Sequence, residues 1–326
     1  MRSDVASQRL PRVAVAVWDE PIACGVMDYL KHSNNGTFHV QIIDCHAMGR
    51  LDRWRGDGLI APIVRRSWIR RLVRKGLPVV NTADQLSRTP FPTVRCDDLA
   101  VGRMAAEHLL GLGLRHFAFV GSKACDCTRL RRQGFTQRLR QEAAGCDCLM
   151  LPKGSRPVSE PAGAEALLTE WLKVLPKPVG VMAVTDAYAK ALAEVCHRLG
   201  VRIPEDVALL GVGNMELYCQ TAIPPLSSVD TRPRQWGYEA AALMCRLLAG
   251  ESVPPEGVLI QPRGVVQRES TDVVAVADPL VVRAVRAIRH SAHQPTNVKQ
   301  LIRDMTVSRR TLERRFYQAM GRSLHD

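Results

Sequence analysis

No stretch of this sequence is long and apolar enough to span a membrane, and no apolar run with a cleavage site precedes Val13. The expected location is the cytoplasm, with no membrane partner. The patterns that cradle phosphate or activate a nucleophile are missing too: there is no P-loop, no Gly-x-Ser-x-Gly elbow and no His-Glu-x-x-His helix. The nine histidines are scattered, and His116 and His197 read as surface or packing residues. These absences argue against an enzyme and require no cofactor, although an α/β fold alone never settles function.

Cysteine, by contrast, is plentiful. Ten are present, and in a reducing compartment residues such as Cys24, Cys196 and Cys245 are expected to be small packing groups. Two repeats stand apart, Cys125-Asp126-Cys127 and Cys146-Asp147-Cys148. Together they offer a four-thiolate metal site or a redox switch. Structural zinc pairs are usually spaced more widely, and the second repeat runs into a strand, so no metal is expected.

Charge is distributed unevenly. From Ala277 to Asp326 ten basic residues stand against four acidic ones, a net +6 of the chain's +13. Nearly all of that positive charge is arginine, whose planar fork matches phosphate oxygens and the guanine edge. A charge run alone is usually a solvated face, but the spacing here adds to it. Asp278-Pro279 opens one helix, in which Val281, Ala284, Val285, Ile288 and Ala292 recur at helical spacing. Asn297 with Gln300 resembles a capping box and opens a second helix. Ser308 caps a third, in which Leu312, Phe316, Ala319 and Met320 share one face while Arg310, Glu313, Arg314 and Tyr317 share the other. Gly321 supplies the stop. Double-stranded DNA is the partner such a module suits.

Residues 297–323, with Val307-Ser308-Arg309-Arg310-Thr311-Leu312-Glu313-Arg314-Arg315-Phe316 at their centre, resemble the first helix-turn-helix of AraC-type transcription regulators. The resemblance implies that Arg310, Glu313, Arg314 and Tyr317 face the major groove, with Ser308 and Arg309 near phosphates. AraC-type modules carry two such units joined by a long helix, and the sequence ends at Asp326, where that helix would begin; an incomplete module is the expectation.

Upstream, apolar runs of strand length fall at Val13–Val17, Val40–Ile43, Gly58–Ala61, Pro78–Val80, His116–Val120, Cys148–Leu151, Gly180–Val184, Val207–Val212 and Val258–Ile260. Helical periods occupy 99–112, 130–143, 163–174, 187–199 and 234–249. This alternation predicts an α/β fold with parallel sheets covered by helices on both faces. Ligands of such sheets sit beyond the strands' carboxyl ends, where this sequence places Trp18, Asp19, Asp97, Asp98, Ser122, Asp186 and Asn214, with Arg131 in reach. Carboxylate, amide and indole groups together suit a polyhydroxylated ligand. Asp98 and Asp186 also fit plain helix N-caps.

Asp57-Gly58-Leu59-Ile60-Ala61, His116 to Gly121, Arg131 with Gly134-Phe135, Val184-Thr185-Asp186, Ile203-Pro204-Glu205-Asp206-Val207 and Arg268-Glu269-Ser270-Thr271 resemble the effector domain of LacI-type repressors, itself similar to periplasmic sugar-binding proteins. Joined to a carboxy-terminal AraC-type module, the arrangement is similar to regulators of xylose operons. That resemblance implies a flexible start (1–11), a bilobed periplasmic-binding-protein-like domain (12–272), and a linker with a small all-α helix-turn-helix segment (273–326). It places lobe 1 at about 12–112 and 228–250 and lobe 2 at about 113–227 and 251–272, with crossings near Gly113, Ser227 and Gly250. It also implies a small sugar effector such as xylose, a homodimer, and contact with RNA polymerase if the protein activates. One position departs: where the family usually has Asp after Gly-Val, this chain has Gly213. Losing a hydrogen bond to a charged group costs about 1.5–3 kcal/mol, enough to redirect sugar recognition. The rival reading is a stand-alone sugar sensor, or a decoy partner with a disabled DNA module.

Overall fold

A computed structural model describes residues 9–17, 20–33, 38–44, 54–83, 86, 88–123, 126–152, 161–272, 280–281, 284 and 307–320. The chain divides into two compact units, Met1–Thr271 and Asp272–Asp326.

In the first unit the strands split between two lobes. One lobe holds β1 (Arg12–Val17), β2 (His39–Asp44), β3 (Gly58–Ala61) and β4 (Val79–Asn81) in the order β2-β1-β3-β4, every pair parallel. A bridge from Asn81 to Thr93 extends it to β5 (Val94–Cys96), which pairs with β11 (Val258–Ile260). The other lobe has six strands in the order β12-β10-β9-β8-β6-β7, namely β6 (His116–Ser122), β7 (Asp147–Leu151), β8 (Val179–Ala183), β9 (Val207–Val212), β10 (Ser227–Asp230) and β12 (Gly264–Val266). All its pairs are parallel except β10 with β12. The central strands β1, β3, β8 and β9 are apolar because helices cover both faces: Val13, Ala14, Val15 and Ala16 of β1 have no exposed surface.

Each lobe carries a tightly packed helix pair. In the first lobe α1 (Glu20–His32) lies against α8 (Pro233–Leu248), and in the second α3 (Asp98–Gly111) lies against α4 (Asp126–Gln141). Both pairs meet through reciprocal glycines. A Cβ on Gly25 would come within 1.9 Å of the Arg234 carbonyl oxygen and one on Gly237 within 1.9 Å of that of Ile22. The corresponding distances are 2.0 Å from Gly102 to Arg131 and 2.1 Å from Gly134 to Leu99. Only glycine allows backbones this close. On the opposite faces, α2 (Arg66–Lys75) buries Leu72 in a core with Leu59, Ile63 and Val79. In the second lobe α5 (Pro161–Val174), α6 (Asp186–Leu199) and the short α7 (Glu216–Thr221) bury Leu172, Leu192 and Cys219 with Val181 and Leu209.

The lobe crossings differ from the sequence expectation. The chain passes between lobes at Asp97, between β5 and α3, because α3 packs on α4 and on the six-stranded sheet. It returns near Thr231, between β10 and α8, and crosses again at 261–263, between β11 and β12. The positions near Gly113, Ser227 and Gly250 are element ends inside a lobe. Helix α3 was assigned to the wrong side because the sequence gives no sign of β5, the strand that ends the first lobe.

In the second unit the described helix is α9 (Arg309–Met320). The Ser308 hydroxyl accepts from the Thr311 amide at 3.2 Å, the cap expected from sequence. Leu312 and Phe316 are buried, as the apolar face requires. Val281 and Ala284 are buried too. The capping box at Asn297 and the Gly321 stop lie outside the described residues.

Candidate functional site

Parallel strands bring their carboxyl ends to one edge, and the six-stranded lobe sets Ser122, Thr185, Gly213 and Asp230 at or just beyond those ends. Asp186 starts α6 there with no exposed surface. Its carboxylate takes the Ser228 hydroxyl at 2.5 Å and the Met215 amide at 2.7 Å. Burial pushes its pKa above the ordinary carboxylate value, against the pull of those donors. Neither Asp98 nor Asp186 is an N-cap: Asp97 caps α3, accepting from Ala100 at 3.0 Å, and Thr185 holds the cap position of α6.

The carboxylate of Asp186 fits only because β9 ends in glycines. A Cβ on Gly211 would sit 2.2 Å from Asp186 Oδ1, and one on Gly213 would sit 3.2 Å from Oδ2. Gly213 also has φ +123°, a backbone that L side chains rarely adopt. Asp186 therefore occupies the space that side chains at 211 and 213 would need. Next to it, Asn214 donates its amide to Ser228 Oγ at 2.9 Å and accepts from Arg268 Nη2 at 2.8 Å. Arg268 also reaches the Leu226 carbonyl at 2.8 Å. Ser228 and Arg268, which complete this network, were missed in the sequence because β10 and β12 are short and partly polar.

A second cluster sits where α3 and α4 begin. Arg131 Nε bonds Asp98 Oδ1 at 2.7 Å while its Nη1 reaches the Val184 carbonyl at 2.7 Å, tying both helices to the end of β8. Both partners are buried, with side-chain exposures of 7% and 3%. Asp97, half-buried, accepts from Gln261 Nε2 at 3.1 Å, and its amide donates to the Ile260 carbonyl at 2.9 Å. Ser122 is buried and hydrogen-bonds with Tyr188, whose pKa burial raises. The structure thus brings Asp186 and Asn214 into one network and Asp98 and Arg131 into another. Trp18 and Asp19 lie outside the described residues.

Around Asp97 and Asp98 opens a cleft of about 740 Å3 with lining from both lobes: Arg88, Thr93, Arg95 and Glu256 from the first, Arg129 and Leu130 from α4 of the second. Ligand pockets usually occupy about 300–1,000 Å3.

Of the two cysteine repeats, Cys146 and Cys148 lie with sulfurs 3.7 Å apart at the start of β7. Their hydrogen bond lowers the pKa of Cys148 and raises that of Cys146. Cys127 is buried and disulfide-bonded, so it is not one of the free packing thiols expected of a reducing compartment. Cys125 lies outside the described residues. Among the described residues no three His, Cys, Asp or Glu side chains converge as metal ligands, and none of the helices is long and apolar enough to cross a membrane.

On α9, Arg310, Arg314 and Tyr317 are exposed, as is Arg309. Glu313 is half-buried and bound to Arg309, Nε to Oε1 at 2.7 Å, so two residues assigned separate tasks from sequence act as one pair.

A family model described as a periplasmic binding protein-like domain matches residues 106–271. The xylose operon regulatory protein of Escherichia coli K12 is 31% identical over 94% of this chain and 80% of its own length. The protein of that name from Haemophilus influenzae is 31% identical over 82% of this chain and 71% of its own. A solved structure described as a xylose-binding transcription activator superposes with a TM-score of 0.74 and 28% identity, covering 98% of this chain and 84% of that one. These relatives are named as transcription regulators rather than enzymes. On identity, coverage and fold together, the chain belongs to the xylose operon regulatory protein family, built on a periplasmic binding protein-like domain.

Proposed function

We propose that this protein is a sugar-responsive transcription regulator that binds double-stranded DNA as a homodimer. A small polar effector, a pentose such as xylose, is held where the lobes meet, close to Asp98, Arg131, Ser122 and Asn214. Asp186 acts in this reading as the buried anchor that fixes Asn214 and the loop after β9, since its oxygens are taken by Ser228 and Met215. Bonds to both lobes favour the closed form, and only unequal affinity for the open and closed forms makes a switch. Arg310, Arg314 and Tyr317 read bases, while Ser308 and Arg309 hold phosphates. RNA polymerase is the further partner if regulation is positive, and the site of action is the cytoplasm.

The observation that carries this reading is that similarity to a xylose operon regulatory protein extends over 94% of the chain and so into the unit that bears the arginine helix. The test is fluorescence anisotropy of the full chain on duplexes selected from a random pool, with and without xylose and other pentoses. The coupling expected is about five- to 150-fold. Arg314→Ala should cost about 1–3 kcal/mol and relax specificity at one base position. DNA affinity indifferent to every pentose, neutral or anionic, sinks the proposal.

A further inference from the structure

The cleft beside Asp97 has more positive charge than a neutral sugar can use. Arg88 on the connection from β4 to β5, Arg95 on β5 and Arg129 near the start of α4 all line it. All three are exposed, and the structure records no side-chain hydrogen bond or ion pair for any of them among the described residues. The acids nearby do not neutralise all three: Glu256 lines the cleft with one carboxylate against three guanidinium groups, and the two aspartates are engaged. Asp98 is committed to Arg131 at 2.7 Å, and Asp97 accepts from Ala100 and Gln261. The uncommitted guanidinium groups come from both lobes, two from the first and one from the second.

A guanidinium is a planar fork of donors with no acceptor, matched by an anion with two or more oxygens. A pentose hydroxyl satisfies only one donor and leaves the charge unanswered. We propose that this cleft binds a small carbohydrate bearing an anionic group, a phosphate or a carboxylate. The anion sits on Arg88, Arg95 and Arg129, and the sugar hydroxyls are accepted by Asp97 and Glu256. The inference deepens the regulator reading and rests on it for its consequence: an anion bonded from both sides draws the lobes together.

The test is isothermal titration of the full chain at fixed ionic strength with xylose, a pentose 5-phosphate, a pentonic acid and inorganic phosphate. At least one of the two anionic sugars should bind tenfold or more tighter than xylose, and which one does distinguishes phosphate from carboxylate. Arg95→Gln and Arg129→Gln should each weaken it about ten- to a hundredfold, with unliganded melting temperatures unmoved because neither side chain has a partner to lose. Arg140→Gln, at the far end of α4, serves as the control and should change nothing. Equal affinity for neutral and anionic sugars, or anion affinity indifferent to Arg95 and Arg129, overturns the inference while the regulator reading stands. If neutral and charged sugars alike fail to bind and fail to alter DNA affinity, both fall.

Discussion

The two lobes solve one packing problem in the same way and then diverge. Each brings a helix pair into backbone contact through reciprocal glycines, Gly25 with Gly237 in one and Gly102 with Gly134 in the other. Each pair also carries an aspartate–arginine bridge. In the first lobe Arg234 bonds Asp28 on the surface, with side-chain exposures of 67% and 23%; in the second Arg131 bonds Asp98 with exposures of 7% and 3%. Exposed pairs contribute little, whereas a buried pair broken on one side leaves an uncompensated charge. The interlocked helices are thus a framework common to both lobes, and the buried charge belongs to the lobe whose helix starts at the cleft.

The comparison can be broken by substitution. Asp98→Ala should have the largest effect, about 3–5 kcal/mol of stability lost in urea unfolding, because the buried Arg131 loses the carboxylate that balances its charge. A loss no larger than that of Asp28→Ala would erase the distinction between the lobes. Next in size, Gly102→Ala and Gly25→Ala should each cost about 1–3 kcal/mol as the helices are forced apart. Similar values for both would support a shared framework. Gly102→Ala should in addition weaken effector binding, since it displaces the start of α3.

Acidity sharpens the contrast further. Burial raises the pKa of Asp186 in the second lobe, so the folded state holds its proton when the unfolded chain has released it. The stability this contributes is fully present at low pH and is lost as pH rises through the raised value. Asp28 behaves in the opposite sense. Its bond to Arg234 lowers its pKa from 3.8, so its contribution is present above that value and is lost as pH falls. Urea midpoints measured from pH 3 to pH 8 should show Asp186→Asn flattening the alkaline decline. The smallest effect expected is that of Asp28→Asn, a slight flattening at the acid end. A wild-type profile unchanged by Asp186→Asn would show that this carboxylate is ionised in the fold.

Much of the fold is legible in the residues, since nearly continuous apolar runs are what doubly covered strands need. β3, β9 and β11 coincide with the runs Gly58–Ala61, Val207–Val212 and Val258–Ile260. The elements that escape are β5, β10 and β12, three or four residues each, with Arg95, Ser227, Ser228 and Gly264 among them. Their neighbours' ladders hold them, and no local pattern announces that. Helices α1 and α2 escape too, α2 because Arg66, Arg70, Arg71, Arg74 and Lys75 mask its single buried stripe. For the site, strand ends name an edge of the sheet but not the partners. That Asp98 faces Arg131, across 33 positions of sequence, and that Asp186 faces Ser228, across 42, depends on tertiary packing.

The bonds from Asp97 to Ile260 and Gln261 join two of the three strands of chain that pass between the lobes. Two connectors fastened side by side pivot as one piece, like a door hung on a pinned hinge, and the swing has one axis. A pull on either lobe would then be turned into the same rotation. Gln261→Ala would remove the side-chain half of this pin and leave the two connectors held by backbone alone.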